Sequence, residues 1–337
     1  MKEVSLLWQE RPVMITGGTG FLGGWLTEAL VARGAHVVCL IRDRVLRSRL
    51  FTENIYGNVV MAQGDVADQS AIERILGEYE IRTVFHLAAQ AIVQIAERNP
   101  VGTFESNIKG TWSILESCRR SSLVSEVIVA SSDKAYGTHR TLPYTEETPL
   151  QGKAPYDVSK SCADLIAQSY SQHYGMPVCI TRCGNFFGGG DLNWSRLIPG
   201  VMRDLIAGRS PVIRSNGLLE RDYLYIEDGV SAYLCVAEAL MQRRALAGRA
   251  YNFSLDRPLT VMEVLSRIFE VTGVELSPSI LGQASTEISA QHLNSELART
   301  ELGWQPEIGL DDGLRRTFEW YRRYFARDHG VSVVGPS

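Results

Sequence analysis

Short apolar runs alternate with amphipathic helical patterns over the first 182 residues, and this alternation constrains the fold more than any other feature. The runs are apolar throughout, which is typical of strands buried on both faces of a parallel sheet. Because parallel strands need right-handed crossover helices, the pattern predicts a doubly wound α/β fold. The predicted strands cover residues 12–16, 36–41, 58–64, 83–89, 126–130 and 177–182, and the predicted helices cover residues 21–34, 71–79, 101–120 and 156–175.

The pattern changes after residue 183, where loops lengthen and helices become short and scattered. These later helices are predicted over residues 196–208, 228–242, 260–273 and 312–325. We therefore predict a larger sheet domain and a smaller C-terminal α/β cap domain that binds the substrate. The predicted bounds are 1–182 for the sheet domain, with 228–253 returning to it, 183–330 for the cap and 331–337 for a loose tail.

Composition excludes several classes of protein. The chain has 337 residues, of which 45% are hydrophobic, so it can bury a large core. Its net charge of −4 gives no basic footprint for nucleic acid, and no apolar run approaches the ~18–20 residues of a membrane span. The start lacks the apolar stretch of a signal peptide. The six cysteines form no CxxC pair and the six histidines no HxxxH or HExxH pattern, so we expect free thiols, no metal and a cytoplasmic location.

A glycine-rich segment, TGGTGFLGG (16–24), follows the first predicted strand directly. Glycine permits a tight turn and close approach of the backbone to a pyrophosphate, and the next helix offers free N–H groups and the positive end of its dipole. The segment therefore predicts the dinucleotide site of a Rossmann domain, with an ordinary glycine-rich turn as the alternative. The residues expected at the cofactor are Gly17, Thr19, Gly20, Phe21, Leu22, Arg42, Asp43, Asp65, Val66, Leu87, Ala88, Ala89, Gln90, Tyr156 and Lys160.

The end of the second predicted strand bears on the choice between NAD and NADP. A ribose-binding acid normally stands there, whereas this chain has Ile41 followed by Arg42 and Asp43. Arg42 could meet a 2′-phosphate or be a solvated loop charge, and Asp43 could reach a ribose hydroxyl. The cofactor is therefore NAD or NADP, tightly bound, and the pair leans to NADP. Asp65 is expected at the adenine end.

Tyr156 and Lys160 form a Y-x-x-x-K pattern at the start of a predicted helix, which puts both side chains on one face. An ammonium group beside a phenol favours the phenolate, so Tyr156 could act as general base towards a substrate hydroxyl. The alternative is a surface tyrosine and lysine. Downstream of a dinucleotide turn and of Ser132 at a strand end, the pattern predicts catalysis.

The segments TGGTGFLG, FHLAAQ, SSDKAYG, YDVSK and RDYLYIEDG together resemble the extended short-chain dehydrogenase/reductase family of nucleotide-sugar epimerases and dehydratases. The resemblance covers roughly residues 11–325. In that family the residues numbered Ser132 and Tyr156 here bind the sugar O4. Tyr156 removes the O4 proton while hydride passes from C4 to the nicotinamide, and Lys160 holds the nicotinamide ribose.

Asp133 and Lys134 follow Ser132 and bear on the reaction. Simple 4-epimerases of the family usually carry small or neutral residues here, whereas dehydratases carry an acid–base pair. The Asp-Lys form resembles CDP-glucose 4,6-dehydratases, and also inverting UDP-N-acetylglucosamine 4,6-dehydratases, which usually lack the tyrosine. We expect a neutral Lys134 to remove the C5 proton and a protonated Asp133 to help the C6 hydroxyl leave as water. Alternatively, Asp133 caps a helix or pairs with Lys134 on a loop.

The resemblance also implies a substrate site. Asn185 and Arg221 would contact the diphosphate, Arg214 would lie along the nucleotide, and Arg196 and Pro199 would touch the base. Arginine suits this because its fork matches phosphate oxygens, although each arginine could instead be a surface residue.

Three further residues are each assigned either to the sugar pocket or to the core. Tyr136 and Gln90 could line the pocket, whereas His86 is expected in the core because it lies within a buried strand. The segment RDYLYIEDG (221–229) departs from the Arg-Pro-Trp sequence that is usual in the CDP-glucose group. The base recognised and the reaction therefore stay open between neighbouring groups of the family.

We predict a nucleotide-diphosphate-sugar 4,6-dehydratase, most like the CDP-glucose enzymes and with a CDP-sugar favoured. The alternative is a 4-epimerase that uses the same Tyr–Lys chemistry. A non-catalytic dinucleotide sensor is disfavoured, because such proteins typically lose the Tyr–Lys pair.

The long helices predicted over 101–120 and 156–175 resemble those that pair between subunits of the family as a four-helix bundle. The alternative is that both helices pack only onto their own sheet. We expect a homodimer. The apolar residues that would form the interface are Ile108, Trp112, Leu115, Leu165 and Ile166.

Overall fold

The computed structural model describes residues 6–274, 276–283 and 288–329, so the predicted tail at 331–337 lies outside the described residues. The chain divides into two compact units. The first unit comprises Met1–Cys183, Gly229–Phe253 and Leu293–Gln305, and the second comprises Gly184–Asp228, Ser254–His292 and Pro306–Ser337.

The strands and helices alternate along the first unit as the sequence pattern predicts. The strands, in chain order over both units, are β1 (Pro12–Thr16), β2 (His36–Ile41), β3 (Val60–Gln63), β4 (Thr83–His86), β5 (Glu126–Ala130), β6 (Val178–Cys183), β7 (Asn185–Phe187), β8 (Val212–Ile213), β9 (Glu220–Arg221), β10 (Tyr223–Tyr225), β11 (Ala250–Phe253), β12 (Leu259–Thr260), β13 (Ser279–Ile280) and β14 (Ala290–Gln291). The α-helices are α1 (Phe21–Val31), α2 (Arg49–Thr52), α3 (Gln69–Glu78), α4 (Val93–Arg98), α5 (Pro100–Phe104), α6 (Gly110–Arg120), α7 (Pro155–Tyr174), α8 (Leu197–Ile206), α9 (Ile226–Gln242), α10 (Val261–Thr272) and α11 (Leu310–His329).

The first unit is built on a parallel sheet with the strand order β11-β6-β5-β4-β1-β2-β3. Each neighbouring pair is parallel. The order reverses between β1 and β4, and this reversal is the point at which an open α/β sheet forms its ligand crevice. The predicted doubly wound Rossmann fold is confirmed.

Apolar side chains of the strands and of the flanking helices form the core of this unit. Met14, Val84 and Val127 of adjacent strands are fully buried and share one cluster with Leu115 of α6 and Ala167 of α7. The strands are apolar throughout because helices cover both faces of the sheet. The six cysteines are free thiols, as expected.

The predicted helix over residues 101–120 is interrupted. It consists of α5, a π-helical turn over Glu105–Lys109, and α6. The wide turn carries Asn107, which is 2% exposed and hydrogen-bonded outside its own helix. π-turns often occur at functional sites, and this one lies beside the helix that carries Tyr156.

The strand predicted over residues 83–89 is also shorter, and ends at His86. The backbone N–H groups of Leu87 and Ala88 turn instead towards the Thr16 hydroxyl, at 3.1 Å each. Residues 87–90 are therefore a loop at the end of the sheet.

Residues 293–305 belong to the first unit, although the sequence pattern places them in the cap. Leu293 is 1% exposed and packs in a cluster with Tyr136 and Tyr144. The Trp304 ring lies 4.9 Å from the Phe253 ring, and its indole nitrogen donates a hydrogen bond to Ser231 Oγ at 3.0 Å. The residues that make these contacts lie far apart in the chain, so a local sequence pattern could not indicate the contacts.

The second unit contains small sheets and three main helices within its described residues. β9 pairs with β12 and β14, β7 pairs with β10, and β8 pairs with β13. The cap helices were predicted over 196–208, 260–273 and 312–325, and correspond to α8, α10 and α11. Over the described residues, no helix combines the length and apolar character needed to cross a bilayer.

Candidate active site

The glycine turn after β1 packs closely against neighbouring backbone. Gly17 has φ +76°, and a Cβ atom there would lie 2.9 Å from the Ala88 backbone nitrogen. A Cβ on Gly23 would lie 2.1 Å from the Gly17 carbonyl oxygen. Both positions therefore require glycine.

Helix α1 begins directly after this turn. Its N-cap residue, Gly20, has no side chain to cap the helix, and the first turn contains no acidic residue. The free N–H groups and the positive dipole end are therefore available to an anion. Together with the glycine cradle, this arrangement fits the pyrophosphate of a dinucleotide. Thr19, Phe21 and Leu22 lie in the same segment and are partly exposed.

The buried Thr16 joins the glycine turn to the loop after β4. Its hydroxyl oxygen accepts hydrogen bonds from Leu87 and Ala88 and shares another with His86 Nδ1 at 2.9 Å. The predicted cofactor residues from these two segments are therefore neighbours in space. Gln90, at the end of the loop, donates its backbone N–H to Asn107 Oδ1 at 2.7 Å.

Arg42 and Asp43 lie just past the end of β2 and pair with each other. The Arg42 Nε–Asp43 Oδ2 distance is 2.7 Å, and the two side chains are 63% and 66% exposed. Asp65, after β3, accepts the Ala67 N–H at 2.8 Å, and Val66 is partly buried. Arg42 and Asp43 therefore lie together at the carboxyl end of β2.

Helix α7 positions Tyr156 and Lys160 on one face, one turn apart. Pro155 begins the helix at a position where its missing N–H costs nothing. Lys160 is 6% exposed, and its ammonium donates a hydrogen bond to the Ala130 carbonyl oxygen at the end of β5, at 2.8 Å. Burial lowers the pKa of Lys160 to about 8, although the nearby Asp164 carboxylate opposes this shift. Tyr156 is partly exposed.

The segment after β5 forms a 3₁₀ turn, Asp133–Tyr136, with Ser132 as its N-cap. The Ser132 hydroxyl accepts the Lys134 N–H at 3.2 Å and donates to Asp133 Oδ1 at 2.9 Å. Asp133 is 4% exposed, and its buried Oδ2 has no hydrogen-bond partner among the residues that the structure describes. A buried carboxylate oxygen without a partner is costly, so a hydrogen-bond donor on a ligand would stabilise Asp133.

Asp157 is a second carboxyl group at this site, and the sequence did not indicate a role for it. It is 8% exposed, and burial raises its pKa to about 6. The Lys134 charge opposes this shift and the Asp133 charge adds to it, which places all three groups close together. The only available sequence signal was its position directly after Tyr156.

A chain of hydrogen bonds runs from the glycine-turn strand to the catalytic helix. His86 Nε2 shares a hydrogen bond with Thr111 Oγ1 at 3.1 Å, and Thr111 donates to the Asn107 carbonyl at 2.6 Å. Asn107 Nδ2 donates to Ser159 Oγ at 2.9 Å, and Ser159 donates to the Tyr156 carbonyl at 2.7 Å. Asn107 was missed because its role depends on partners distant in the chain.

His86 is a core residue, as expected. It is 3% exposed, and burial together with the Lys160 charge lowers its pKa to about 3. Tyr136, by contrast, is not placed in a pocket. It is fully buried, and its hydroxyl is occupied by Asn252 and Arg182.

The second unit contains a cavity of about 580 Å³ between α8 and the strands β7–β10. This volume suits a nucleotide-sized ligand. The cavity brings together every residue that the resemblance assigned to the nucleotide and diphosphate of the substrate. These residues are Asn185, Arg196, Pro199, Arg214 and Arg221.

The cavity contains buried as well as exposed arginines. Arg221 is 7% exposed and donates to the Glu220 carbonyl at 2.7 Å. Arg196 pairs with Asp191 at 3.0 Å and its side chain is 40% exposed, and Arg214 donates to the Ser195 carbonyl. These contacts hold the guanidinium groups in the wall of the cavity, where they can meet an anionic ligand.

The helices assigned to a subunit interface expose two large apolar side chains. Trp112 of α6 is 44% exposed and Leu165 of α7 is 53% exposed. Ile108 and Ile166 are partly buried. Leu115 is fully buried in the core and cannot be part of an exposed face, because its side chain packs towards the sheet.

Comparisons with known proteins agree with this geometry. The family model described as GDP-mannose 4,6 dehydratase matches residues 14–317. A CDP-glucose 4,6-dehydratase of Salmonella typhimurium is 30% identical to this chain over 333 residues, which cover 94% of this chain and 92% of the relative.

Solved structures of nucleotide-sugar enzymes are also similar to this chain. The UDP-glucose 4-epimerase of Thermotoga maritima, solved with UDP-glucose, has a TM-score of 0.84 and 26% identity over 93% of this chain and 99% of its own. The dTDP-glucose 4,6-dehydratase of Streptomyces venezuelae, solved with NAD and TYD bound, has a TM-score of 0.83 and 26% identity over 93% of this chain and 97% of its own. The chain therefore belongs to the GDP-mannose 4,6 dehydratase family, among the extended short-chain dehydrogenase/reductase enzymes that act on nucleotide-sugars.

Proposed function

We propose that this chain is a nucleotide-diphosphate-sugar 4,6-dehydratase. The observation that carries the proposal is the turn after β5, where Ser132 fixes a buried Asp133 with an unpartnered oxygen and Lys134 directly follows. Elimination of water across C5 and C6 needs an acid and a base in addition to the Tyr156–Lys160 pair, whereas inversion of a C4 hydroxyl needs only that pair.

The first step is removal of the O4 proton by Tyr156, assisted by Lys160. Lys160 is held at the end of β5 by its bond to Ala130, so its ammonium group has a fixed position. An ammonium group nearby stabilises the phenolate that Tyr156 needs in order to act as a base. Ser132 orients the O4 hydroxyl together with Tyr156.

The second step is elimination of water across C5 and C6. A carbonyl at C4 makes the C5 proton acidic, and Lys134, in its neutral form, takes that proton. Asp133 gives its proton to the C6 hydroxyl, which leaves as water. Asp133 is buried beside Ser132, and its Oδ2 has no partner among the described residues, so this oxygen is open to the C6 hydroxyl.

The cofactor is proposed to be NAD. When bound, it supplies the site with a group that takes hydride from C4 and returns it to C6. Gly17, Gly20 and the start of α1 would hold the pyrophosphate, and Asp43 would bind the adenosine ribose. The Asp43 charge opposes a 2′-phosphate, and it already pairs with Arg42. This supports NAD over the NADP expected from Arg42, as does the NAD bound to the Streptomyces relative.

The nucleotide-sugar is proposed to bind in the cavity of the second unit. Its diphosphate would meet Arg221 and Asn185, and its base would lie near Arg196 and Pro199, with Arg214 along the nucleotide. The 30% identity to a CDP-glucose 4,6-dehydratase supports a CDP-sugar. A homodimer through the exposed residues of α6 and α7 completes the proposal.

A 4-epimerase is the second candidate, because the Thermotoga epimerase has the same fold. Substitution at Lys134 separates the two reactions. Lys134→Ala should stop the loss of water while C4 oxidation continues, so reduced nicotinamide should accumulate and be visible by its absorbance.

Lys134→Arg is the matched variant, since it keeps a cation but cannot lose a proton at working pH. If Lys134 is the base, both variants should lose water formation by at least about a hundredfold. If the arginine variant retains most of the turnover, Lys134 only binds the substrate and the proposed role is wrong.

A further inference from the structure

The catalytic turn Asp133–Tyr136 ends in a side chain that does not face solvent. Tyr136 is fully buried, and its hydroxyl donates to Asn252 Oδ1 at 2.7 Å and accepts from Arg182 Nη1 at 2.9 Å. Asp133 and Lys134 therefore stand on a turn whose last residue is tied to β6 and β11.

Arg182 connects Tyr136 to the catalytic helix α7. Its guanidinium makes a two-point ion pair with Asp164 of α7, with Nε–Oδ2 at 2.8 Å and Nη2–Oδ1 at 2.9 Å. The side chains are 3% and 0% exposed. Asp164 lies one turn beyond Lys160 on the same helix. The Arg182–Asp164 ion pair therefore links α7, which carries Tyr156 and Lys160, to the turn Asp133–Tyr136.

Further bonds close the network around Tyr136. Asn252 is the register partner of Arg182 across β6 and β11, and it is fully buried. Its backbone N–H donates to Glu146 Oε1 at 2.7 Å, and its amide donates to the Tyr144 carbonyl at 3.1 Å. Buried networks whose members are all satisfied fix a unique arrangement of the elements that they join.

A second connection, a direct hydrogen bond, joins the turn Asp133–Tyr136 to α7. Ser161, next to Lys160, donates its hydroxyl to the Ala135 carbonyl at 2.7 Å. The turn is thus attached to α7 twice, through Ala135 and through Tyr136.

We propose that Tyr136, Arg182 and Asp164 are positioning residues. Their buried network fixes the position of Asp133 and Lys134 relative to Tyr156 and Lys160. Water loss can then follow C4 oxidation. This inference rests on the proposed dehydratase function. None of the three residues is proposed to touch the substrate; they act through the turn and through the helix.

The network also affects the charge on Lys160. The Asp164 carboxylate opposes the lowering of the Lys160 pKa that burial causes. Arg182 neutralises that carboxylate at both oxygens.

The test compares Tyr136→Phe with a matched control, Tyr251→Phe. Tyr251 is also fully buried, lies beside Asn252 on β11, and donates its hydroxyl to Glu301 Oε2 at 2.8 Å. Both variants lose one buried hydroxyl, but only Tyr136 belongs to the network. The measurements are the rate of C4 oxidation in a single turnover, followed by nicotinamide absorbance, and the rate of water loss, followed by mass spectrometry of the sugar.

Tyr136→Phe should slow water loss by roughly 10- to 100-fold while C4 oxidation stays within about twofold, so reduced cofactor accumulates. Tyr251→Phe should lower the melting temperature without changing the ratio of the two rates. If both variants lower stability alike and leave that ratio unchanged, Tyr136 is only a core residue and the proposal is wrong.

Ser161→Ala tests the same idea if Tyr136→Phe does not fold. It removes the bond to Ala135 and keeps the helix, since alanine favours helices. It should also slow water loss more than oxidation, and an equal effect on both rates would overturn the proposal. If the wild-type enzyme itself inverts C4 and releases no water, the proposed function fails, which is a result distinct from a failure of the network.

Discussion

At the scale of single residues, the site depends on where charge is buried. Asp133 keeps an unpartnered oxygen inside the protein, Lys160 is a buried ammonium, and Asp157 is a buried carboxyl beside Lys134. Such groups lower the stability of a fold, and their concentration in one place is typical of a catalytic site.

Asp157 gives a prediction about pH. Burial raises its pKa from an ordinary 3.8 to about 6. A group with a raised folded pKa contributes stability that is present below its unfolded pKa and is lost as the pH rises through its folded pKa. Asp157→Asn should therefore melt above the wild type at a pH of about 7, and this advantage should vanish by a pH of about 4.

Thermal melts across that range check this prediction. Glu147→Gln, at an exposed position in the same unit, is the control and should melt like the wild type throughout. A difference between Asp157→Asn and the wild type that does not change with pH would contradict the account.

Gly17 gives a prediction about the cofactor. Gly17→Ala places a Cβ atom 2.9 Å from the Ala88 nitrogen at a φ of +76°. The strain should cost about 1–3 kcal/mol of stability, and the displaced loop should weaken cofactor binding. The measurement is the amount of nicotinamide cofactor that remains bound after purification, together with the melting temperature.

Gly57→Ala is the matched control, because a Cβ there meets no atom within 4 Å. It should keep both the cofactor and the melting temperature of the wild type. Full cofactor retention by Gly17→Ala would show that the turn does not form the pyrophosphate site.

At the scale of elements, α6 and α7 carry the predicted subunit interface. Trp112 and Leu165 are exposed on these helices, and exposed apolar patches commonly mark an interface. We expect Trp112→Glu combined with Leu165→Glu to convert the proposed dimer to a monomer in light scattering, with the fold retained.

The control for the interface is Leu46→Glu, which changes a 65% exposed leucine elsewhere in the first unit. That variant should stay dimeric. If the double variant also stays dimeric, the interface lies on another face.

Elements that a local pattern defines were predicted well. β1, β2 and β5 begin and end at the predicted residues, because each is a buried apolar run bounded by a turn. The π-helical turn at Glu105–Lys109 was missed, since it depends on the bond between Asn107 and Ser159 across the fold. Local periodicity contains no information about such a partner.

At the scale of the whole molecule, the site divides between what the pattern shows and what the resemblance adds. The glycine turn and the Tyr–Lys pair were derived from spacing and order. The structure places the glycine turn at the carboxyl end of β1, and Lys160 of α7 donates a hydrogen bond to the carboxyl end of β5. The residues of the cavity in the second unit came from the resemblance alone. They are spread between residues 185 and 221 on short elements, and no periodic pattern connects them.

The most direct test of the account follows one hydrogen atom. The wild-type enzyme is incubated with nucleotide-diphosphate-glucose carrying deuterium at C4, and the product is analysed by mass spectrometry and NMR. If Tyr156 and Lys160 start an oxidation that Asp133 and Lys134 complete, the product is a 4-keto-6-deoxy sugar with the deuterium at C6. Deuterium that stays at C4 beside an inverted hydroxyl would contradict the account and identify an epimerase.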